Sequence, residues 1–105
     1  MTIAQEEIFG PVLAVMSFQN GVDGASDLAN STIYGLAAGI WTRDIKKALR
    51  AAKAIQAGTV WINTYNMYDA ASPFGGFKQS GFGRDMGVHA LEGYMQVKSV
   101  WVDLS

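Results

Sequence analysis

The first residues whose types and spacing invite chemistry are Glu6-Glu7-Ile8-Phe9-Gly10-Pro11. A carboxylate beside a sharp turn can accept two hydrogen bonds from a ribose diol, as acidic residues do in dinucleotide sites. Phe9 offers a flat face to a sugar or a ring. The plainer alternative is a charged turn that enters a buried strand. A second candidate is Pro73-Phe74-Gly75-Gly76-Phe77-Lys78-Gln79-Ser80-Gly81. Glycines with Lys and Ser suggest a phosphate loop. The spacing does not fit one: there is no Gly-Lys-Ser/Thr, and no strand leads directly into it. Glycine for tight turns or close backbone approach is the better reading. His89 is the only histidine. A catalytic histidine needs an orienting partner and a nucleophile, and neither is visible at short range. It reads as a helix-surface or packing residue. Lys46, Lys47, Arg50 and Lys53 form a basic helix face, read as a solvated outer surface rather than an anion site. Trp41, Trp61 and Trp101 fall on predicted strands, where core or interface packing is the default.

The elements that must position these residues alternate. Val12–Phe18 is nearly all apolar, as a strand covered on both faces would be. Asp23 is a candidate cap for a short helix through about Asn30, with Gly35 as its stop. Ala37–Thr42 reads as a second strand. Ile45, Ala48, Leu49, Ala52 and Ile55 then recur at helical spacing, with Asp44 as N-cap and Gly58 as terminator. Thr59–Thr64 is a third strand, rich in β-branched and aromatic residues. Strand, helix, strand, helix, strand predicts an α/β fold with right-handed crossovers in a parallel sheet. Tyr65 to Gly83 has no period and reads as a long loop, which in a compact domain is usually functional. A short helix near Arg84 to Tyr94 and a last strand, Met95 to Asp103, follow. The apolar residues of that strand sit on both faces, so it is expected to pair with something.

Composition bounds the function classes. The chain has 105 residues, enough for one domain. It is 50% hydrophobic and only 16% charged, which excludes disorder as the main description. A net charge of -1 argues against a dedicated nucleic-acid or polyanion binder. No cysteine is present, so there is no disulfide framework, zinc-thiolate site or cysteine nucleophile. No apolar run approaches membrane-spanning length, and no secretory signal opens the chain. These features point to a soluble, cytoplasmic domain that binds neither nucleic acid nor membrane, with no metal site. The low charge on so small a body hints that part of the surface meets another protein.

Read together, the motifs resemble one family. They are Glu6 to Pro11, Asn30-Ser-Thr-Ile-Tyr-Gly-Leu-Ala-Ala-Gly39, Gly58-Thr-Val-Trp-Ile-Asn63, and Ser72 to Gly81 with Gly83-Arg84. In this order and spacing they resemble the C-terminal end of an NAD(P)-dependent aldehyde dehydrogenase, over essentially the whole chain. The resemblance implies a single partial domain, 1–105, the C-terminal portion of the catalytic domain and about the last fifth of the full enzyme, with Met1 at an internal position. A truncated product, a split gene and an expressed fragment are all open.

It also implies an activity, the oxidation of an aldehyde to a carboxylic acid with NAD or NADP as hydride acceptor. In that family a cysteine thiolate attacks the aldehyde, hydride leaves for the nicotinamide, and glutamate-activated water hydrolyses the thioester. The cysteine, that glutamate and the oxyanion asparagine lie outside this chain, so it carries no catalytic residue and is expected to be inactive alone. Glu7 matches the glutamate that hydrogen-bonds the nicotinamide ribose, and Phe9 the aromatic beside it. Together they position the hydride acceptor. Phe74 matches an aromatic of the substrate tunnel, and Tyr68 falls where many relatives place another. Such rings favour aromatic or longer apolar aldehydes. The segment 95–105 matches the oligomerisation strand, so the implied partners are the rest of the enzyme or homologous subunits, in a homo-oligomer. Two rival readings are a non-catalytic interaction module that docks on full-length subunits, and a small nucleotide-binding protein built on Glu7 and the glycine loop.

Overall fold

The computed structural model describes residues 1–105. Helices and strands are mixed, as in a piece of an α/β domain. Helix α1 (Gly21–Asn30) and helix α2 (Ile45–Ala54) pack on each other. Strands β2 (Ala37–Ile40) and β3 (Thr59–Ile62) pair in parallel, with Ala37 opposite Thr59 and Ile40 opposite Ile62. Helix α2 is the crossover between them and lies against both. A second ladder joins β1 (Tyr34–Gly35) to β4 (Phe77–Lys78), antiparallel. A 3-10 turn, Thr2–Ala4, opens the chain, and a longer one, Val88–Tyr94, lies near its end.

The best-defined element is α2. The Asp44 carboxylate accepts from the Lys46 and Lys47 amides, so two orphan donors of the first turn are satisfied. Replacing Asp44 by Ala is expected to cost about 1 kcal/mol, read as a lower midpoint in denaturant. An unchanged midpoint would mean the cap contributes nothing. Helix α2 ends at Ala54 rather than at Gly58, because Ile55 has already turned extended. Helix α1 is capped by Asn20 in the left-handed region, not by Asp23. Asp23 lies one turn in, where both of its oxygens accept from Arg50 at 2.7 Å. Two thirds of each side chain is exposed, so this pair adds little stability.

Five expectations need correction. Val12–Phe18 belongs to no ladder: its only backbone bond is from the Val12 amide to Gly10 O. Met95–Asp103 likewise has no strand pairing. An apolar pattern marks a segment that needs cover, and within these 105 residues nothing covers either one. The presumed loop Tyr65–Gly83 contains β4, and the expected helix at 84–94 is 3-10 over Val88–Tyr94. Gly35 is no helix stop but part of β1.

The core is small. Ala48, Ala51 and Trp61 are its buried apolar residues, and only six of 105 residues are buried in all. The stripe on α2 is split: Ala48 and Ala51 pack inward, while Ile45 and Leu49 stay more than half exposed. The radius of gyration is 18.6 Å, against about 13 Å for a compact chain of this length. The accessible surface is 8803 Å², roughly 3,100 Å² more than a compact protein of this mass presents. An excess of that size is larger than the share one partner contributes to most obligate interfaces, whose total areas of about 2,000–5,000 Å² count both sides.

Candidate functional site

The turn Glu6 to Pro11 is held from both ends. The Glu6 amide donates to Thr2 O at 2.9 Å, and the Val12 amide donates to Gly10 O across Pro11. Between these fixed points Phe9 adopts φ 55, in the left-handed region. A non-glycine residue there costs about 1–2 kcal/mol. The Phe9 ring is 92% exposed. Glu7 is exposed too, and its carboxylate enters none of the ion pairs of the chain. Glu7 and Phe9 line one shallow depression together with Ile8 and Gly10.

Glu7 also borders a second hollow, formed with Thr32, Tyr34, Leu36, Gln79 and Ser80. The glycine segment therefore reaches the acidic turn in space. A third hollow contains Phe74, Gly75, Gly76 and Arg84, and it shares Leu36 and Ser80 with the second. Hence the acidic turn and Phe74 border neighbouring hollows divided by a common wall.

Tyr68 and Phe74 meet edge to face, with ring centroids 5.3 Å apart. Tyr68 in turn stands edge-on to Trp61 at 5.6 Å, and Trp61 meets Tyr65 at 4.9 Å. Trp61 is the buried centre of this ladder and donates its indole N–H to Met67 O at 2.9 Å. Sequence reasoning left Trp61 as ordinary packing and missed its part in fixing the two rings. The Trp-x-x-x-Tyr-x-x-Tyr spacing over 61–68 was the available signal. Trp41 and Trp101, by contrast, are largely exposed.

The glycine segment is built for close approach. A side chain on Gly58 would run into the Gly75 carbonyl oxygen, and one on Gly76 would run into Ser80. Arg84 donates to Gly76 O at 3.1 Å and to Gly83 O at 2.6 Å, and lies over the Phe77 ring. Lys78 is already committed: its ammonium donates to Asn30 O at 2.9 Å and Thr32 O at 3.0 Å. A lysine spent on two carbonyls is not a phosphate-loop lysine. His89 pairs with Glu92, one turn away, with Nδ1 to Oε1 at 3.1 Å on the surface. Arg50 of the basic helix face is paired with Asp23. No three His, Cys, Asp or Glu side chains gather to hold a metal ion. No helix is long and apolar enough to cross a membrane.

The acidic turn, the glycine segment and the Phe74 end of the aromatic ladder border neighbouring hollows on an α/β framework. The model of the aldehyde dehydrogenase family matches residues 1–100, and the chain belongs to that family. Among curated proteins it is 55% identical over 100 residues to an aldehyde dehydrogenase of Aspergillus niger. That match covers 95% of this chain and 20% of the relative. It is 54% identical over 104 residues to the mitochondrial 10-formyltetrahydrofolate dehydrogenase of Homo sapiens, covering 98% of this chain and 11% of the relative. Among solved structures, the NAD+ complex of an aldehyde dehydrogenase from Bacillus cereus superposes with a TM-score of 0.89 at 53% identity. That superposition covers 100% of this chain and 21% of the other. A mutant of the indole-3-acetaldehyde dehydrogenase AldA of P. syringae, in complex with NAD+ and IAA, gives 0.90 at 53% identity. It covers 99% of this chain and 21% of AldA. The chain thus spans between about a tenth and a fifth of the length of these relatives.

Proposed function

We propose that this chain is the part of an NAD(P)-dependent aldehyde dehydrogenase that holds the nicotinamide ribose and forms one wall of the aldehyde tunnel. The observation that carries this reading is the unpaired Glu7 carboxylate beside the exposed Phe9 ring on a turn where Phe9 adopts a left-handed backbone. When bound, the dinucleotide accepts a hydride from the substrate. Glu7 offers two oxygens to adjacent hydroxyl donors, and charge-assisted bonds of this kind are the strong ones. Phe9 covers the flat side of the same group and excludes water from it. Their joint contribution is orientation. Residues 1–105 fit one edge of the cofactor and leave the remaining edges to other parts of a complete enzyme. Tyr68 and Phe74, locked edge to face, wall the substrate side and favour aromatic or longer apolar aldehydes. The thiol nucleophile must come from outside, because this chain has no cysteine. The apolar segment 95–105 is assigned to pairing with a neighbouring strand, which supports assembly with the rest of the enzyme or with homologous subunits.

The test is a chimera in which these 105 residues replace the matching fifth of the Bacillus cereus enzyme. Glu7→Gln is expected to lower kcat/KM for the dinucleotide by about tenfold to a hundredfold, roughly 1.4–2.7 kcal/mol. The KM for aldehyde is expected to stay put. Unchanged dinucleotide kinetics would overturn the reading. The reading as a non-catalytic module that docks on full-length subunits rests on the exposed apolar segments 12–18 and 95–103. It is favoured if the chain co-elutes with a complete homologue and the chimera is inactive.

A further inference from the structure

We infer that Lys78 is a positioning residue that couples the cofactor side of the cleft to the substrate side. The inference rests on the reading above and adds a specific residue to it. Lys78 lines neither the hollows beside Glu7 nor the hollow beside Phe74. It lies on β4 with φ 54, again left-handed in a residue with a side chain. Its ammonium reaches back to two carbonyls in different settings. Asn30 is the last residue of α1, whose C-terminal carbonyls carry the negative end of the helix dipole. Thr32 lies in the turn that leads into β1. Bonds from an ammonium to carbonyls are charge-assisted and stronger than neutral ones. Two of them hold a backbone conformation that the residue would otherwise leave.

The consequence lies two residues on. With Lys78 fastened, the Gln79 amide donates to Ile33 O at 3.0 Å, and the Ser80 hydroxyl accepts from the Gly35 amide at 3.0 Å. Ser80 belongs to both the hollow that contains Glu7 and the hollow that contains Phe74. The segment 77–80 is therefore stitched to 30–35 by side chain and backbone together, and its last residue is the wall between the two subsites. Asn30 extends the same node to α2: its side chain donates to Ala54 O and accepts from the Gln56 amide, both at 2.8 Å. Releasing Lys78 lets the wall shift, and both subsites feel it.

The chimera is the vehicle for the test, with steady-state kinetics in both substrates. Lys78→Gln is expected to raise the KM for dinucleotide and for aldehyde by about tenfold each. Lys78→Arg keeps two donors and is expected to stay within about threefold of the parent. Ser80→Ala, a mild change that preserves folding, is expected to raise both KM values by about threefold. A one-sided effect of Lys78→Gln or Ser80→Ala would overturn the inference. So would a fall in thermal stability with both KM values unchanged, or an arginine variant as impaired as the glutamine one. If Lys78→Gln yields no soluble enzyme, the Ser80→Ala and Lys78→Arg pattern decides. The two ideas fail separately. Silent Glu7→Gln kinetics remove the cofactor reading itself. A normal response to Glu7→Gln with a one-sided or silent Lys78→Gln removes only the coupling.

Discussion

Purified alone, the 105-residue chain is expected to produce no NADH from any aldehyde and to run in solution as a species heavier than its 11.3 kDa. Both outcomes follow from what the chain presents. Without a thiolate there is no covalent capture of the aldehyde. Without burial there is little to hold the fold. Folding here hides less than half of the surface an extended chain of this mass exposes, against about two thirds for a compact domain of this size. Phe9, Leu13, Val15, Trp101 and Leu104 are each more than four fifths exposed. Continuous apolar surface drives association, and two apolar segments with unsatisfied backbone add edge-to-edge pairing. Sedimentation velocity and a coupled absorbance assay read these expectations directly. A monomer with a cooperative unfolding transition at high temperature would contradict the expected self-association. Robust turnover free of contaminating enzyme would contradict the expected inactivity.

The second large effect is expected at Gly58. In the chimera, Gly58→Ala should abolish or nearly abolish soluble active enzyme. The added methyl has nowhere to go. It would overlap the carbonyl oxygen of Gly75, which is backbone and cannot swing aside as a side chain would. Gly58 sits where α2 hands over to β3, and its amide is bonded to Gly35 O at 3.1 Å. A shift there moves β1, the Gly75–Gly76 turn and Phe74 together. Overpacking of a tight site typically costs 1–3 kcal/mol, sometimes more. Gly93→Ala is the control, because a Cβ at Gly93 meets nothing within 4 Å. Comparable soluble yield and activity from Gly58→Ala and Gly93→Ala would show that the Gly58–Gly75 contact is not needed.

What the sequence discloses tracks how locally each feature is determined. Helix α2 announces itself because Asp44, the apolar spacing and the basic face all lie within one contiguous stretch. Strand β3 does so through Thr59-Val-Trp-Ile. The cap of α1 was misplaced because Asn20 works through backbone conformation rather than a side-chain bond, which leaves no acceptor pattern to read. Strands β1 and β4 are two residues each, too short for any period, and their pairing depends on Lys78 and Ser80 reaching across more than forty residues. Val12–Phe18 and Met95–Asp103 have strand composition because they were shaped to be covered, yet a ladder needs a second strand. At the site, Glu7, Phe9 and Phe74 were legible as motif residues beside glycine or proline. That Ser80 borders both the hollow beside Glu7 and the hollow beside Phe74 was not, because it depends on the fold of the glycine segment. Nor was the role of Trp61 in aligning Tyr65 and Tyr68.

The most direct measurement is a crystal structure of the chimera bound to NAD+. The expected result places both nicotinamide-ribose hydroxyls within hydrogen-bond reach of the Glu7 carboxylate, about 2.5–3.0 Å, with the Phe9 ring packed against the same group. A ribose bound elsewhere, with Glu7 directed to solvent, would contradict the assignment of this chain to the cofactor edge of the enzyme.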